Sequence, residues 1–295
     1  MLKYAARKAA AEFDEASRKA YVDVLLESGT IQTHHRTAGQ GAPLVLLHPS
    51  PLSSEFLKPQ MRVLSDLCEV FAPDTPGYGQ SDPLPEDRPQ YGRDISLVPY
   101  VAWLDAYRQA IGAERLSIYG SATGAQIAIQ YGRAHPERVH HLLLDNAVYF
   151  EDAEWEQLML RYFPDISPQR DGSHLQIVWD MVTGLYRGFP WYDQPLSPMP
   201  EVPVEILHAT ALAYLTAGDN YDRAYRAAFK NERIGNLLAL TVPTTIIRWQ
   251  GSLLKKYADR FDQHSWPANI QMKHCDAPPL ARLKAIREVV AGFSR

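Results

Sequence analysis

The sequence predicts an α/β fold, built on a mostly parallel, doubly wound sheet that a helical insertion interrupts. Short, continuous apolar segments, which are typical of buried parallel strands, alternate with segments of helical periodicity. This alternation stops near residue 148, and 14 of the 31 aromatic residues fall within residues 149–229, which indicates an insertion with its own packing. The length of 295 residues suits one large α/β domain that carries such an insertion.

The first segment, residues 1–29, predicts an amphipathic N-terminal helix. Its apolar residues recur at three- and four-residue spacing, at Ala5, Ala9, Phe13, Ala16, Ala20 and Val24. The pair Ser28-Gly29 would end this helix, because glycine is favoured just past a helix C-terminus. Its mixed charges do not favour lipid, so we expect the helix to pack on its own domain.

The remaining elements follow in order along the chain. The predicted strands are residues 43–48, 69–72, 116–119, 139–144, 242–247 and, more weakly, 269–272. One predicted helix places Val101, Leu104, Tyr107 and Ile111 on a single face, and the last helix covers residues 279–293. We therefore assign residues 30–148 and 236–295 to the α/β core and residues 149–235 to a helical cap.

Composition excludes several classes of protein. The net charge of −4 provides no basic surface for nucleic acid or an anionic membrane. The two cysteines, Cys68 and Cys275, are too few for a disulfide scaffold or a four-cysteine metal site. The sequence has neither an apolar run of about 18 residues nor a signal-peptide pattern, so we expect a cytoplasmic protein. We expect a small-molecule substrate as the partner, and the sequence leaves open whether the protein forms a homodimer.

Three motifs follow predicted strands. Gly120-Ser121-Ala122-Thr123-Gly124 lies between a strand and a helix, with the spacing of a nucleophile elbow. His48-Pro49-Ser50-Pro51 and the segment 74–82, which reads DTPGYGQSD, follow two other strands. Together these motifs resemble a capped branch of the α/β-hydrolase superfamily, over nearly all of residues 33–293. The resemblance implies the α/β-hydrolase fold, with a cap above the elbow.

The nucleophile position of the elbow holds Ala122. Alanine has no heteroatom and cannot form an acyl-enzyme. Ser121 and Thr123 flank the position, but on a sharp turn their side chains should point away from the direction in which residue 122 points. The chain is therefore either an inactivated form or one whose reaction needs no elbow nucleophile.

The resemblance also implies positions for an acid, a base and an oxyanion hole. The loop after the strand at 244–247 contains no carboxylate over residues 249–254, so Asp145, at the end of the preceding core strand, is the candidate acid. A loop cap is the competing interpretation of Asp145. His274, after the last weak strand, stands where the superfamily places its general base. The oxyanion hole would use the backbone amides of Ser50 and Thr123.

Aromatic residues of the cap are candidates for the substrate pocket, although most should form the cap's own core. The candidate substrate-binding residues are His48, Trp155, Trp179, Tyr186 and Trp191. The histidines and acidic residues show no metal-ligand spacing, so we expect neither a metal nor a cofactor.

Three functions remain open at this point. The first is an α/β-hydrolase-family enzyme that acts at a carbonyl group of a small hydrophobic or aromatic substrate, by ester or carbon–carbon hydrolysis. The second is a lyase, isomerase or cofactor-free oxygenase in which a His274–Asp145 dyad removes a proton. The third is a non-catalytic ligand-binding protein. We favour the first, because both the resemblance and the oxyanion loop indicate carbonyl chemistry.

Overall fold

The computed structural model describes residues 17–85, 95–193 and 202–293. Its strands are β1 (Arg18–Leu26), β2 (Gly29–Ala38), β3 (Pro43–Leu47), β4 (Glu69–Pro73), β5 (Leu116–Ser121), β6 (Val139–Asp145), β7 (Thr244–Trp249) and β8 (Ile270–Cys275). Its helices are α1 (Lys58–Leu64), α2 (Val98–Ala110), α3 (Thr123–Ala134), α4 (Asp152–Arg161), α5 (Ser173–Arg187), α6 (Val204–Ala217), α7 (Arg223–Asn231), α8 (Ile234–Leu238), α9 (Lys255–Ala258) and α10 (Pro279–Ala291).

The strands form one sheet in the order β1-β2-β4-β3-β5-β6-β7-β8. The pairs β1–β2 and β2–β4 are antiparallel, and the strands from β4 to β8 in this order are parallel. Strand β3 lies inside the sheet, so β4, β2 and β1 extend the sheet on one side of it and β5 to β8 extend it on the other. This is the mostly parallel, doubly wound sheet that the apolar segments predict.

The N-terminal prediction is wrong where the structure describes it. Residues 18–26, which belong to the expected helix, form the edge strand β1, and residues 1–16 of that helix lie outside the described residues. Leu26 pairs with Gly29, so β1 and β2 are a hairpin with a two-residue turn. Val24 is buried and Val22 and Leu26 pack beside it, which is the two-residue period of a strand.

Helices cover both faces of the sheet. On the first face, α2 and α3 pack over a core that contains Val45, Trp103, Ile118 and Leu144. On the second face, α1 and α10 pack over another core, whose members include Leu46, Met61, Leu143, Ile247 and Ile286. Neighbouring residues of one strand therefore belong to opposite cores, as the pleat requires.

The helices α4 to α8 lie between β6 and β7 and form the inserted unit. Helices α5 and α6 share a core of their own, with Val178, Met181 and Leu207 among its buried residues. A further set of aromatic rings connects the insertion to the core domain, and we call it the hinge cluster: Phe150, Tyr162, Phe189, Phe229 and Tyr257. Within the described ranges, no helix is long and apolar enough to span a bilayer.

Candidate active site

The elbow joins β5 to α3, and its backbone has an unusual conformation. Ala122 has φ 48° and ψ −111°, a region that residues other than glycine rarely adopt. The flanking glycines allow this turn. A Cβ atom at Gly120 would lie 2.4 Å from the Gly124 carbonyl oxygen, and one at Gly124 would lie 2.3 Å from the Leu47 carbonyl oxygen. The site therefore keeps the strained, closely packed turn that would present a nucleophile, with a methyl group in its place.

The two predicted oxyanion-hole residues lie at the ends of neighbouring strands. Leu47, at the end of β3, pairs with Gly120 in β5, and Ser50 and Thr123 each follow three residues later. Both residues are buried, and neither hydroxyl has a hydrogen-bond partner. Thr123 is the first residue of α3, so its N–H has no partner within the helix. The oxyanion-hole role of the Ser50 and Thr123 amides stays a prediction.

His48 is held by the backbone on both sides of its ring. Its Nδ1 lies 2.9 Å from the Pro49 carbonyl oxygen, and its Nε2 accepts a hydrogen bond of 2.9 Å from the Thr75 N–H. Burial lowers the pKa of His48, which favours the neutral ring that this pattern needs. Both ring nitrogens are bound to the backbone, so His48 joins the segment after β3 to the segment after β4, and its substrate-binding role stays a prediction.

Asp145 is fully buried and is bound by groups other than a histidine. Its Oδ2 accepts hydrogen bonds of 2.7 Å from the Tyr119 hydroxyl and 2.7 Å from Arg282 Nε. The Arg282 guanidinium also stacks on the Trp249 ring, 4.8 Å from its centroid. Although burial lowers the pKa of Arg282, the Asp145 carboxylate raises it above its ordinary value. Asp145 and Arg282 therefore form a buried ion pair between β6 and α10.

His274 lies on the opposite face of the sheet from Asp145. Asp145 pairs with Ile247 in β7, whereas His274 pairs with the next residue, Arg248, and successive residues of a strand point to opposite faces. Ile247 belongs to the core under α10, while Arg248 binds Asp262 on the other side. His274 is also exposed to solvent. The predicted His274–Asp145 dyad is therefore wrong.

Comparisons with known proteins support the fold described above. The family model described as alpha/beta hydrolase fold matches residues 42–187. The haloalkane dehalogenase DatA from Agrobacterium tumefaciens C58 has 20% sequence identity and a TM-score of 0.64, with 96% of this chain and 99% of that chain covered. An epoxide hydrolase from an endophytic Streptomyces has 18% identity and a TM-score of 0.69, covering 95% and 96% of the two chains. The chain has the α/β-hydrolase fold.

A curated relative is similar over a shorter region. The 2-hydroxymuconate semialdehyde hydrolase of Pseudomonas sp. (strain CF600) is 31% identical over 145 residues, which is 48% of this chain and 49% of that protein. The chain spans about half, or less, of the length of the first curated relatives that it matches. These similarities establish the α/β-hydrolase fold and leave the reaction to be argued from the site.

Next to the elbow, this α/β-hydrolase fold carries uncharged polar side chains that the sequence analysis missed. Ala122 N–H donates to the Asp145 carbonyl at 3.0 Å, so Asn146 directly adjoins the elbow. Ser252 Oγ donates to Asn146 Oδ1 at 2.7 Å, and Asn146 Nδ2 lies 3.4 Å from Ser121 Oγ. Ser252 belongs to the loop after β7, where the resemblance implies an acid. A neutral Asn146–Ser252 pair therefore occupies this edge of the sheet, and the positive φ of Asn146 is a signal that only the structure reveals.

The predicted pocket aromatics of the cap have different surroundings. Trp179 is 37% exposed. Tyr186 packs in the cap core, with its hydroxyl 3.2 Å from Thr210 Oγ1. Trp191 Nε1 donates to the Tyr162 carbonyl at 2.9 Å, which fixes the ring between the two cap clusters. These three residues are therefore not brought to the elbow by any contact that the described residues show, and their substrate-binding role is not supported. Trp155 packs against the hinge cluster.

Proposed function

We propose that this α/β-hydrolase-fold chain binds a small apolar or aromatic carbonyl compound at the elbow and forms no covalent acyl intermediate with it. The carbonyl oxygen would accept hydrogen bonds from the amides of Ser50 and Thr123. The observation that carries the proposal is the conformation of Ala122. The elbow retains its strained φ and ψ at a residue that has no nucleophilic atom.

The groups around the elbow support binding more than covalent catalysis. Asp145 forms an ion pair with Arg282, and His274 lies on the opposite face of the sheet from Asp145. The edge of the sheet beside Ala122 presents the neutral amide and hydroxyl of Asn146 and Ser252. Such groups hold and orient a polar ligand, and they do not activate a hydroxyl or a water molecule as a base would.

A direct test uses the amide resonances of the uniformly ¹⁵N-labelled protein during titration with benzoate, which carries a carbonyl-type oxygen on an aromatic ring. We expect saturable shifts of the Ser50 and Thr123 amides. Ala122→Leu should weaken binding at least tenfold, because the larger side chain fills the space above the elbow. The matched control, His274→Ala, should bind as the wild type does. Unmoved Ser50 and Thr123 amides in the wild type would overturn the proposal.

A second candidate is hydrolysis at a carbonyl group without a covalent intermediate. The similarity to 2-hydroxymuconate semialdehyde hydrolase favours it, since that relative is named for hydrolysis of a small carbonyl compound. Mass spectrometry of the intact protein after incubation with 4-nitrophenyl acetate separates the routes. Product release without an acyl adduct would favour this second candidate over binding alone, and an acyl adduct on Ser121 or Thr123 would contradict both.

A further inference from the structure

A cavity of about 550 Å³ lies where helices of the core domain meet helices of the insertion. Helix α3 packs against α2 and also against α7 and α8, and residues of all four helices line the cavity. One of them, Gln130, lies about two turns, or 10 Å, along α3 from Thr123 at the elbow. Small-molecule sites usually measure about 300–1,000 Å³, so the cavity is large enough for one ligand. None of the described residues that line it belongs to the elbow.

Much of the cavity wall is apolar. Val101 of α2 and Ala227 of α7 are buried residues of the lining, and Val98 is 73% exposed beside them. Ala102 and Ala134 contribute only methyl groups, which leave the space open. Covering such a wall removes apolar surface from water, which favours binding. The cavity therefore suits a ligand with an apolar body.

The amide side chains of the lining are already hydrogen-bonded. Arg133 Nη1 donates to Gln130 Oε1 at 2.9 Å and to Asn236 Oδ1 at 2.7 Å. Asn236 Nδ2 donates to the Asn231 carbonyl oxygen at 2.7 Å, and Gln130 Nε2 donates to Asn231 Oδ1. The Arg133 guanidinium therefore binds neutral oxygens at this place, and the amides have little remaining demand for a polar ligand.

Lys230 provides a second cation, and it is part of the lining. Its Nζ donates to the Ile95 carbonyl oxygen at 3.1 Å, which uses one of its three N–H donors. Among the described residues, no carboxylate forms an ion pair with Lys230 or Arg133, and none of the described lining residues is acidic. The whole chain has a net charge of −4, so this excess of positive charge is local and favours an anionic ligand.

We infer that this cavity is a ligand site for an amphipathic monocarboxylate, whose carboxylate binds Lys230 and whose alkyl chain lies along Val98, Val101 and Ala227. A carboxylate oxygen accepts a charge-assisted hydrogen bond from an ammonium group. An alkyl chain has no polar group, as the apolar wall and the satisfied amides require. Because α2 belongs to the core domain and α7 to the insertion, the ligand contacts both. The inference does not rest on the carbonyl position at the elbow.

The test is titration of the uniformly ¹⁵N-labelled protein with octanoate, and with octan-1-ol as a neutral molecule of the same chain length. We expect saturable shifts of the Val101 and Ala227 amides, with octan-1-ol about fivefold weaker than octanoate. Lys230→Gln should weaken octanoate by the same factor and leave octan-1-ol unchanged, because only the carboxylate uses the ammonium group. The matched control, Lys284→Gln, changes an exposed lysine of α10 and should bind both as the wild type does.

A second variant tests the cavity itself. Ala102 lines the cavity from an exposed position of α2, so Ala102→Phe should fill part of the space and leave the core intact. We expect octanoate and octan-1-ol both to bind about tenfold more weakly, because the apolar wall is then covered. The matched control, Ala110→Phe, changes an exposed alanine of the same helix outside the lining and should bind as the wild type does. Thermal melting checks that each variant is folded.

Three results would overturn the inference. Val101 and Ala227 amides that octanoate does not move mean that the cavity takes no such ligand. Equal affinities for octanoate and octan-1-ol, or an unchanged octanoate affinity in Lys230→Gln, mean that the cation does not select a carboxylate. Wild-type affinity in Ala102→Phe means that octanoate binds elsewhere. Because benzoate binding is read at the elbow amides, failure of that proposal and failure of this one are separately visible.

Discussion

The Arg282 guanidinium donates through Nε to Asp145 Oδ2 at 2.7 Å, across 137 residues of sequence. This ion pair occupies the one buried carboxylate that the sequence analysis assigned as the catalytic acid. Tyr119 donates to the same oxygen, and Trp249 covers the guanidinium. The pair fixes the end of β6, and therefore the elbow that bonds to it, against α10.

Removing one partner of this pair should be strongly destabilising. Arg282→Ala leaves the Asp145 carboxylate buried without its cation, so we expect a loss of about 3–5 kcal/mol in the free energy of unfolding. The double variant Asp145→Leu with Arg282→Met should recover much of that loss, because an apolar pair of similar volume needs no charge compensation. Urea denaturation of the three proteins measures this. Equal stability of Arg282→Ala and the wild type would contradict a buried, coupled pair.

Local sequence patterns predict the elements around the site but not the pairing of side chains within it. Segments 43–48, 116–119 and 139–144 form strands because continuous apolar residues suit a sheet that is covered on both faces. That same continuity hides which face each residue occupies. A one-residue difference in register put His274 opposite Arg248 instead of Ile247, and so separated it from Asp145.

Other features depend on contacts that are distant in sequence. Arg282 reads as an ordinary helix-surface residue, and its role follows only from the position of α10 beside β6. Glu232 stands beside Asn231 and Arg233 in a polar segment that is typical of an exposed loop, and only the structure shows that it is buried. In β1, the two-residue period of Val22, Val24 and Leu26 was the available signal for a strand, and spacings of three and four residues masked it.

Restoring a hydroxyl to the elbow should not restore acylation. Ala122→Ser places an alcohol in the correct backbone conformation, but Asp145 is bound to Arg282, and His274 lies on the opposite face of the sheet from Asp145, so these two residues cannot act together as an acid–base pair. A serine without a positioned base is a weak nucleophile. We therefore expect no burst with 4-nitrophenyl acetate in stopped-flow assays, at protein concentrations that would reveal one equivalent. A stoichiometric burst would mean that a base faces residue 122 after all.

His274→Ala should leave the protein nearly unchanged. The side chain is exposed on the edge strand β8, where surface substitutions usually change stability by less than about 0.5 kcal/mol. A general base would contribute about 10²–10⁴-fold to a rate. Thermal melting, benzoate binding and any measured turnover should each match the wild type. A rate loss of that size, with unchanged melting, would return His274 to the mechanism.

The close packing of the elbow predicts a contrast between two glycines. Gly124→Ala would set a Cβ atom 2.3 Å from the Leu47 carbonyl oxygen, so backbone must move, and we expect a loss of about 3 kcal/mol or more. A Cβ atom at Gly235, in α8, would meet nothing within 4 Å. Gly235→Ala should therefore stabilise the protein by about 0.4–1 kcal/mol. A denaturation midpoint that decreases by the same amount in Gly124→Ala and in Gly235→Ala would contradict the close packing at the elbow.

Burial raises the pKa of Glu232, and this shift should make the stability of the protein depend on pH. Its pKa in the folded protein lies well above the unfolded value of about 4.3, so the folded state binds the extra proton. This group therefore favours folding most at low pH, and its contribution to the free energy of unfolding falls as pH rises from about 4.3 toward the folded pKa, by up to about 1.4 kcal/mol per pH unit.

The variant Glu232→Gln cannot ionise at this position and should lose this pH dependence of stability. We expect its melting temperature to exceed that of the wild type increasingly between pH 5 and pH 8, while the exposed Glu156→Gln variant shows no such divergence. Parallel melting curves for Glu232→Gln and the wild type across that range would show that the Glu232 carboxyl is ionised in the folded protein.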